Sequence, residues 1–308
     1  MPAYLHAFGA YVPERVVTND EMAARVGKTA AWIEGVSGIR ERRWAAPETS
    51  VVELAAAAAG DCLRKSGVET RSLGMVMVAS GSAPPGFPGP AASVAARLGL
   101  EGTPALDVPM ASAGSLFGLA LAARLAEVHG DVLVIGAEKM SAVVESAALD
   151  ANTAVLFGDG AGAALIGARP GRWEIVDSVL HSEGQFRDAL WFDWVSGLRM
   201  NGLAVILHAS RSIPAAINEV LSRNGVAPDG VSAFLLHQAN QNLLVRVAKT
   251  LNVPPERVYS NVARYGNTSS ASMLIAAAEW ASTDPPPGPV VFAAFGAGFH
   301  WGAVLARG

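Results

Sequence analysis

Residues 107–128 read DVPMASAGSLFGLALAARLAEV and begin with a polar junction that runs into an unusually apolar segment. After Ser112 no charged side chain occurs before Arg124, and leucine and alanine recur along the segment. A helix with so little polar surface is surrounded by protein on most sides. We therefore predict a buried helix from Ser112 to Val128, with the Ser112 hydroxyl at its start.

Short apolar runs on both sides of this segment predict the rest of the fold class. Met75–Ser80 and Asp131–Ala137 are rich in valine, methionine and leucine and are bounded by glycine or polar residues. Both have the length and composition of interior strands. Because such runs alternate with longer segments of helical pattern, the sequence predicts an α/β protein with a largely buried sheet.

The order of elements is weakly repeated along the chain. The Ser112 helix is followed by a strand and by the glycine-rich stretch Leu156–Leu165, in which Gly158–Gly162 is interpreted as a structural turn between strands. A helix beginning near Asn267 is likewise followed by a strand and by the glycine-rich stretch Gly296–Leu305. We predict two similar halves, residues 1–168 and 169–308, that pack face to face with a site between them.

Composition excludes several functional classes. The chain has 308 residues, 51% of them hydrophobic and 16% charged, with a net charge of −4 and no dense lysine or arginine block, so we expect no nucleic-acid partner. We expect neither a signal peptide nor a membrane span, which needs about 20 apolar residues. The single cysteine, Cys62, excludes an intramolecular disulfide, is predicted to be structural, and fits a cytoplasmic protein.

Two further motifs place polar side chains where a strand is expected to give way to a helix. They are His237-Gln-Ala-Asn240 and Gly266-Asn-Thr-Ser-Ser270. A histidine, an asparagine and the Ser112 hydroxyl from three such junctions suit acyl transfer, in which one group attacks a carbonyl and others stabilise the oxyanion. Ser112, His237 and Asn267 are therefore the candidate catalytic residues.

Several motifs together resemble the thiolase superfamily, and most closely the β-ketoacyl-acyl-carrier-protein synthase III branch, which begins fatty-acid or polyketide chains. The motifs span the chain and are Gly9–Glu21, Trp32-Ile33, Gly38–Arg42, Phe157–Gly162 and Phe295–Ala303. The resemblance implies a thiolase-like duplicated αβαβα five-layered sandwich, a homodimer, and acyl-coenzyme A or acyl-carrier-protein thioesters as substrates, with no cofactor and no metal.

The resemblance also implies roles for single residues. Ser112 falls on the acyl-accepting nucleophile, which is cysteine in the family, and His237 and Asn267 fall on the pair that binds the malonyl thioester oxygen during decarboxylation. Backbone N–H groups of Ser112 and Ala297 would form the oxyanion hole. The positions implied for substrate binding are Trp32, Phe87 (from across the dimer), Gly202, Ala239 and Asn240, and those implied for carrier-protein docking are Arg246 and Lys249.

Some positions depart from the family pattern. Val36 and Asn242 stand where the family usually has basic side chains, and no arginine occurs at Ala151-Asn152. Fewer cations weaken phosphate capture. We therefore expect that free acetyl-coenzyme A need not be the acyl donor.

The serine at position 112 leaves the chemistry open. A helix terminus stabilises a nearby anion by at most ~2 kcal/mol, which leaves a serine hydroxyl protonated at neutral pH, so Ser112 requires a general base, for which His237 is the candidate. Three interpretations follow: a natural, active serine; an inert serine beside an intact decarboxylating pair; and an engineered replacement of cysteine. The acceptor is a malonyl thioester or, alternatively, a hydroxyl or amine, and a catalytically inert partner subunit is the non-enzymatic alternative.

Overall fold

The computed structural model describes residues 2–146 and 150–308. The strands are β1 Ala3–Tyr11, β2 Val16–Thr18, β3 Glu41–Arg43, β4 Met75–Ala79, β5 Ala105–Val108, β6 Val132–Lys139, β7 Asp159–Gly167, β8 Trp173–Ser182, β9 Leu190–Asp193, β10 Gly197–Met200, β11 Ala233–Leu236, β12 Pro289–Gly296 and β13 His300–Arg307. The helices are α1 Asn19–Val26, α2 Ala30–Ser37, α3 Val51–Ser66, α4 Pro90–Arg97, α5 Gly114–His129, α6 Met140–Glu145, α7 Ala151–Ala154, α8 Gly202–Arg223, α9 Gln241–Leu251, α10 Val262–Tyr265 and α11 Ser272–Ala281. Within these residues, no helix is long and apolar enough to cross a membrane.

The main sheet has the strand order β11-β12-β13-β8-β1-β7-β6-β4-β5. Its two sides mirror each other, because β8-β13-β12-β11 in the second half of the chain repeats the pattern of β1-β7-β6-β4 in the first. The sides are joined where Ala3–Leu5 of β1 pairs with Trp173–Ile175 of β8. The predicted order of helix, strand, glycine-rich stretch and strand is therefore present in both halves.

Five layers follow from where the apolar side chains are buried. Helices α5 and α11 share one core with strands of both halves and form the central layer. Helix α3 packs on the opposite face of the first-half strands, and α8 and α9 pack on the opposite face of the second-half strands. The apolar helix predicted from residues 112–128 is thus enclosed, and the predicted α/β five-layered sandwich is confirmed.

Two local predictions need correction. Helix α5 begins at Gly114, not at Ser112, because Ser112 lies in a tight turn that precedes the helix. The stretch Gly158–Gly162 is not a turn between strands, since β7 begins at Asp159 and every residue of it is buried. Glycine is needed there because a Cβ on Gly162 would lie 2.6 Å from the Cβ of Leu274 on α11.

Cys62 lies on α3 as predicted and faces the interior. It is fully buried, and its Sγ lies 3.4 Å from the carbonyl oxygen of Ala7. Burial raises the pKa of the thiol to about 12, so almost no thiolate is present at neutral pH. The side chain therefore acts as a small apolar residue that packs α3 against β1.

Candidate active site

Ser112 is held in a strained three-residue turn between β5 and α5. The N–H of Ala113 donates to the carbonyl oxygen of Ala111 at 2.6 Å, and Ser112 between them has a φ of 55°. A non-glycine residue in this left-handed region is disfavoured by about 1–2 kcal/mol, so the surrounding structure must hold it there. The end of β12 does so, because a Cβ on Gly296 would approach the carbonyl oxygen of Ala111 to 2.5 Å.

Asn267 reaches the same place from the second half of the chain. It follows the short helix α10 and forms a single β-bridge with Phe157, so it does not follow a regular strand as predicted. Its side-chain Oδ1 accepts the N–H of Ser269 at 2.8 Å. Because the oxygen is used in this way, the Nδ2 hydrogens are the part of the amide that is available to a bound molecule.

His237 follows β11 directly, as predicted, and only 5% of its surface is exposed. Its Nδ1 lies 2.6 Å from Ser272 Oγ, which also accepts the N–H of Gln238 at 3.0 Å. Burial lowers the pKa of His237 from 6.5 to about 4, and a hydrogen bond with the backbone of Ser269 opposes this shift. The imidazole is therefore neutral at physiological pH.

One cavity of about 780 Å³ brings the three candidate catalytic residues together. Ser112, His237, Asn267 and Ser269 are polar residues of its lining. Most of its wall is apolar, and the charged residues among its described lining are Arg187 and Asp150. The apolar lining includes Met140, Val143, Leu156, Phe157, Leu190, Phe192, Leu198, Met200, Val205, Ile206, Ile213, Leu243 and Phe295.

The other residues singled out by sequence fall into two groups. The residues that line the cavity are Trp32, Gly202, Ala239, Asn240 and Ala297. Those that do not line it are Phe87, which is 98% exposed, and Arg246 and Lys249, which are exposed on α9. Val36 and Asn152, where basic side chains were expected, also line the cavity.

Asn242, which stands where a basic side chain was expected, makes hydrogen bonds to the backbone of α2. Its Nδ2 donates to the carbonyl oxygens of Gly35 and Val36 at 3.3 and 3.2 Å. Asn240 Nδ2 donates to the Val36 carbonyl as well, at 3.0 Å. These bonds tie the end of α2 to the start of α9, where Val36 and Asn240 line the cavity.

The two backbone donors predicted for an oxyanion hole differ in their surroundings. Ala297 lines the cavity and has an ordinary negative φ, so alanine is tolerated there without backbone strain. The Ser112 N–H, in contrast, donates to Ser269 Oγ at 2.9 Å. The oxyanion hole therefore stays a prediction, in which Ser112 would have to share or exchange its present partner.

Sequence reasoning missed three residues that hold this site. Ser269 and Ser272 bind members of the candidate triad, and the fully buried Glu138 accepts the N–H groups of Gly81 and Ser270 at 3.1 and 3.3 Å. The signal that points to the serines is four hydroxyl residues among five, Thr268, Ser269, Ser270 and Ser272, at the start of an otherwise apolar helix.

Comparison with models of protein families gives two matches along the chain. A model of 3-oxoacyl-[acyl-carrier-protein] synthase III matches residues 106–184, and a model of the C-terminal part of that enzyme matches residues 221–307. The chain is similar to the β-ketoacyl-[acyl-carrier-protein] synthase III of Oleidesulfovibrio alaskensis, with 36% identity over 99% of this chain and 98% of that protein.

Solved structures of the same family have the same fold as this chain. The chain is similar to the crystal structure of 3-oxoacyl-[acyl-carrier-protein] synthase III from Aquifex aeolicus, with a TM-score of 0.94 and 34% identity over 99% of this chain and 100% of that chain. It is also similar to the priming β-ketosynthase of the R1128 polyketide biosynthetic pathway, with a TM-score of 0.90 and 30% identity over 99% of this chain and 95% of that one.

Proposed function

This chain belongs to the 3-oxoacyl-[acyl-carrier-protein] synthase III family, and we propose that it acylates Ser112 from an acyl thioester and condenses the acyl group with a malonyl thioester. This reaction begins a fatty-acid- or polyketide-type chain. The observation that carries the proposal is that Ser112, His237 and Asn267 line one mostly apolar cavity.

In the first step, Ser112 Oγ attacks the thioester carbonyl carbon. The hydroxyl proton passes to the imidazole of His237, the oxygen–carbon bond forms, the carbon–sulfur bond breaks, and the thiol leaves with that proton. Ser272 Oγ can donate to His237 Nδ1 or accept from it, because a hydroxyl does both. The contact therefore supports the tautomer in which Nε2 accepts a proton as well as the one in which Nε2 donates.

In the second step, the malonyl thioester loses carbon dioxide. The electron pair of the breaking bond moves into an enolate, whose oxygen is stabilised by the imidazole N–H of His237 and the Nδ2 of Asn267. A pKa of about 4 keeps His237 neutral at physiological pH. A neutral imidazole can donate its N–H to the enolate oxygen without first being protonated. The enolate carbon then attacks the Ser112 ester and the bond from that carbonyl carbon to Ser112 Oγ breaks. The released oxygen takes a proton from the imidazole of His237, which is reprotonated from solvent.

The shape and charge of the cavity fit an acyl thioester. Its apolar wall suits the acyl chain, and Trp32, Gly202, Ala239 and Asn240 suit the arm that carries the sulfur. Arg187 lies 3.5 Å from Asp188, so the one described basic side chain of the lining is already paired. We therefore propose an acyl donor whose phosphates stay outside the cavity, as either a carrier-protein or a coenzyme A thioester.

The exposed surface supports two protein partners. Arg246 and Lys249 lie exposed on α9, the helix whose Leu243 lines the cavity, and they suit the acidic surface of a carrier protein. Strand β5 is at the edge of the sheet, with Leu106 exposed, and Phe87 is exposed on a nearby loop. We propose a cytoplasmic homodimer that covers this edge and places Phe87 at the partner's cavity.

Product formation tests this function. Incubation with an acyl thioester and malonyl-carrier protein should yield carbon dioxide and a β-ketoacyl thioester, detected by mass spectrometry. An acyl adduct without carbon dioxide would favour a hydroxyl or amine acceptor, which suits the oxygen ester that Ser112 forms. Neither an adduct nor a product would contradict the enzyme and leave the inert-subunit alternative.

A further inference from the structure

Ser269 contacts all three residues of the candidate triad. Its Oγ accepts the N–H of Ser112 at 2.9 Å and lies 3.4 Å from Ser112 Oγ. Its backbone N–H donates to Asn267 Oδ1 at 2.8 Å, and its backbone also bonds to His237. Ser269 is 1% exposed and has a φ of 48°, so it is both buried and held in a disfavoured backbone conformation.

Either hydroxyl can supply the hydrogen of the contact between Ser112 Oγ and Ser269 Oγ. The Ser269 hydroxyl has one hydrogen to donate and already accepts the Ser112 N–H. Once the Ser112 proton moves to His237, Ser112 Oγ can only accept, and the Ser269 hydroxyl is the donor next to it. We propose that Ser269 is a catalytic residue whose hydroxyl donates to Ser112 Oγ as that oxygen gives up its proton to His237 and carries partial negative charge in the transition state of acylation.

The length of this contact suits such a role. An O–H···O bond of 3.4 Å is weak between neutral hydroxyls, whose usual separation is about 2.7–2.8 Å. Hydrogen bonds to a charged oxygen are shorter and stronger. A contact that tightens only as charge develops stabilises the transition state more than the ground state, which is the condition for acceleration.

The proposal rests on the acylation of Ser112 given above and leaves its atom balance unchanged. Ser269 keeps its proton throughout, while the Ser112 proton passes to His237 and the thiol leaves with it. A base of low pKa removes a hydroxyl proton with little driving force. A second donor at the oxygen that becomes charged lowers that barrier.

The side chain and the backbone of Ser269 act on different half-reactions. Asn267 is held by the Ser269 N–H, which every substitution except proline keeps. Removing the hydroxyl should therefore slow acylation and leave the Asn267 amide in place for decarboxylation. A purely structural role of the hydroxyl would affect both half-reactions together.

Two substitutions separate the hydroxyl from the backbone strain. Ser269→Ala removes the hydroxyl and retains the disfavoured φ, whereas Ser269→Gly removes the hydroxyl and relieves it. Ser270→Ala is the matched control, because it removes a neighbouring buried hydroxyl that donates to the Ala79 carbonyl and does not touch the triad. The full-length variants are compared in single-turnover acylation by the N-acetylcysteamine thioester of hexanoic acid, and in decarboxylation of malonyl-N-acetylcysteamine.

We expect both Ser269 variants to lose about 100-fold in acylation rate, with decarboxylation within about threefold of the parent protein and Ser270→Ala near the parent in both. Acylation by Ser269→Gly at the parent rate would overturn the proposal, as would equal losses in both half-reactions or an equal loss in Ser270→Ala. A parent protein that takes up no acyl group would overturn the proposed function itself. If the parent protein is acylated, but no faster than its Ser269 variants, only the proposed role of Ser269 is overturned.

Discussion

Ser112 and Ser269 stand at corresponding junctions of the two halves and differ in what their hydroxyls do. Each precedes a central helix, α5 or α11, and each has a positive φ. Both serines line the cavity, but Ser112 is half-buried, whereas Ser269 is buried and its Oγ accepts the Ser112 N–H. The repeated fold thus supplies two strained serines at one point, and burial and hydrogen bonding assign the nucleophile to one of them.

The two halves contribute different groups to the proposed chemistry. The first half supplies the nucleophile, and the second half supplies His237, Asn267 and Ser269. In this proposal His237 and Ser269 act in acylation as well, so the steps separate by residue: loss of Ser112 should stop acylation and spare decarboxylation, and loss of Asn267 should slow decarboxylation. The following predictions test this division, beginning with the largest effect.

Removing the first-half hydroxyl should abolish acylation. We expect Ser112→Ala to lower the acylation rate by up to about a million-fold, as loss of a nucleophile does in serine hydrolases. Carbon dioxide release from malonyl-carrier protein should persist, because its donors come from the other half. An acyl adduct on the Ser112→Ala protein, seen by intact-mass measurement, would remove Ser112 from the mechanism.

Removing a second-half donor should have the opposite pattern. Asn267→Asp keeps an oxygen that accepts the Ser269 N–H and loses the Nδ2 donor. We expect malonyl decarboxylation to fall about 100- to 1,000-fold, which is the usual cost of one oxyanion donor. Asn267→Ala, which loses both contacts, is the comparison; decarboxylation by Asn267→Asp at the parent rate would exclude the amide as a donor.

Acidification should destabilise the folded protein through His237. Burial lowers the pKa of His237 from 6.5 to about 4, so between these values the unfolded chain binds a proton that the folded chain does not. The free energy of unfolding should therefore fall as pH drops from 6.5 to 4, by up to roughly 3 kcal/mol from this residue. Denaturant titrations of the parent and His237→Gln should show a flatter pH dependence in the variant; parallel curves would contradict the lowered pKa.

Replacing the hydroxyl of Ser112 with a thiol tests how much the serine limits condensation. A thiol ionises far more readily than a hydroxyl, and a thioester is a better acyl donor to a carbon nucleophile. We expect Ser112→Cys to raise the condensation rate about tenfold or more, measured as β-ketoacyl product. A rate no higher than that of the parent would show that the site is adapted to serine.

The smallest effect concerns the strain that the two serines share. Glycine and alanine at position 112 both lack the hydroxyl, and only glycine accepts a positive φ at little cost. We expect the free energy of unfolding of Ser112→Gly to be about 1 kcal/mol higher than that of Ser112→Ala. We expect the glycine variant to be the more stable one at position 269 as well. Equal stabilities of the glycine and alanine variants at either position would mean that the turn is not strained there.

Apolar pattern predicted the framework of this fold well. Strands β4 and β6 and helix α5 were predicted close to their observed bounds, because buried layers require uninterrupted apolar runs. The start of α5 was misplaced because the turn at Ser112 is held by Gly296, which is distant in the sequence. Gly158–Gly162 was misinterpreted because its glycines serve close helix packing, which no local pattern reveals.

The site was predicted in part. The motifs at Ser112, His237 and Asn267 were found because a polar side chain next to an apolar element is visible in the sequence, and the structure brings all three to one cavity. Ser269 was missed because its partner Ser112 is 157 positions away. Phe87 is exposed in the single chain, and its predicted role across a dimer stays a prediction.

Peptide mapping by mass spectrometry after incubation with an acyl thioester tests the central claim most directly. The acyl mass should appear on the peptide that contains Ser112 and be absent from the peptide that contains Cys62, whose buried thiol has a pKa of about 12. An unmodified Ser112 peptide, or an acyl group found only elsewhere in the chain, would contradict this account.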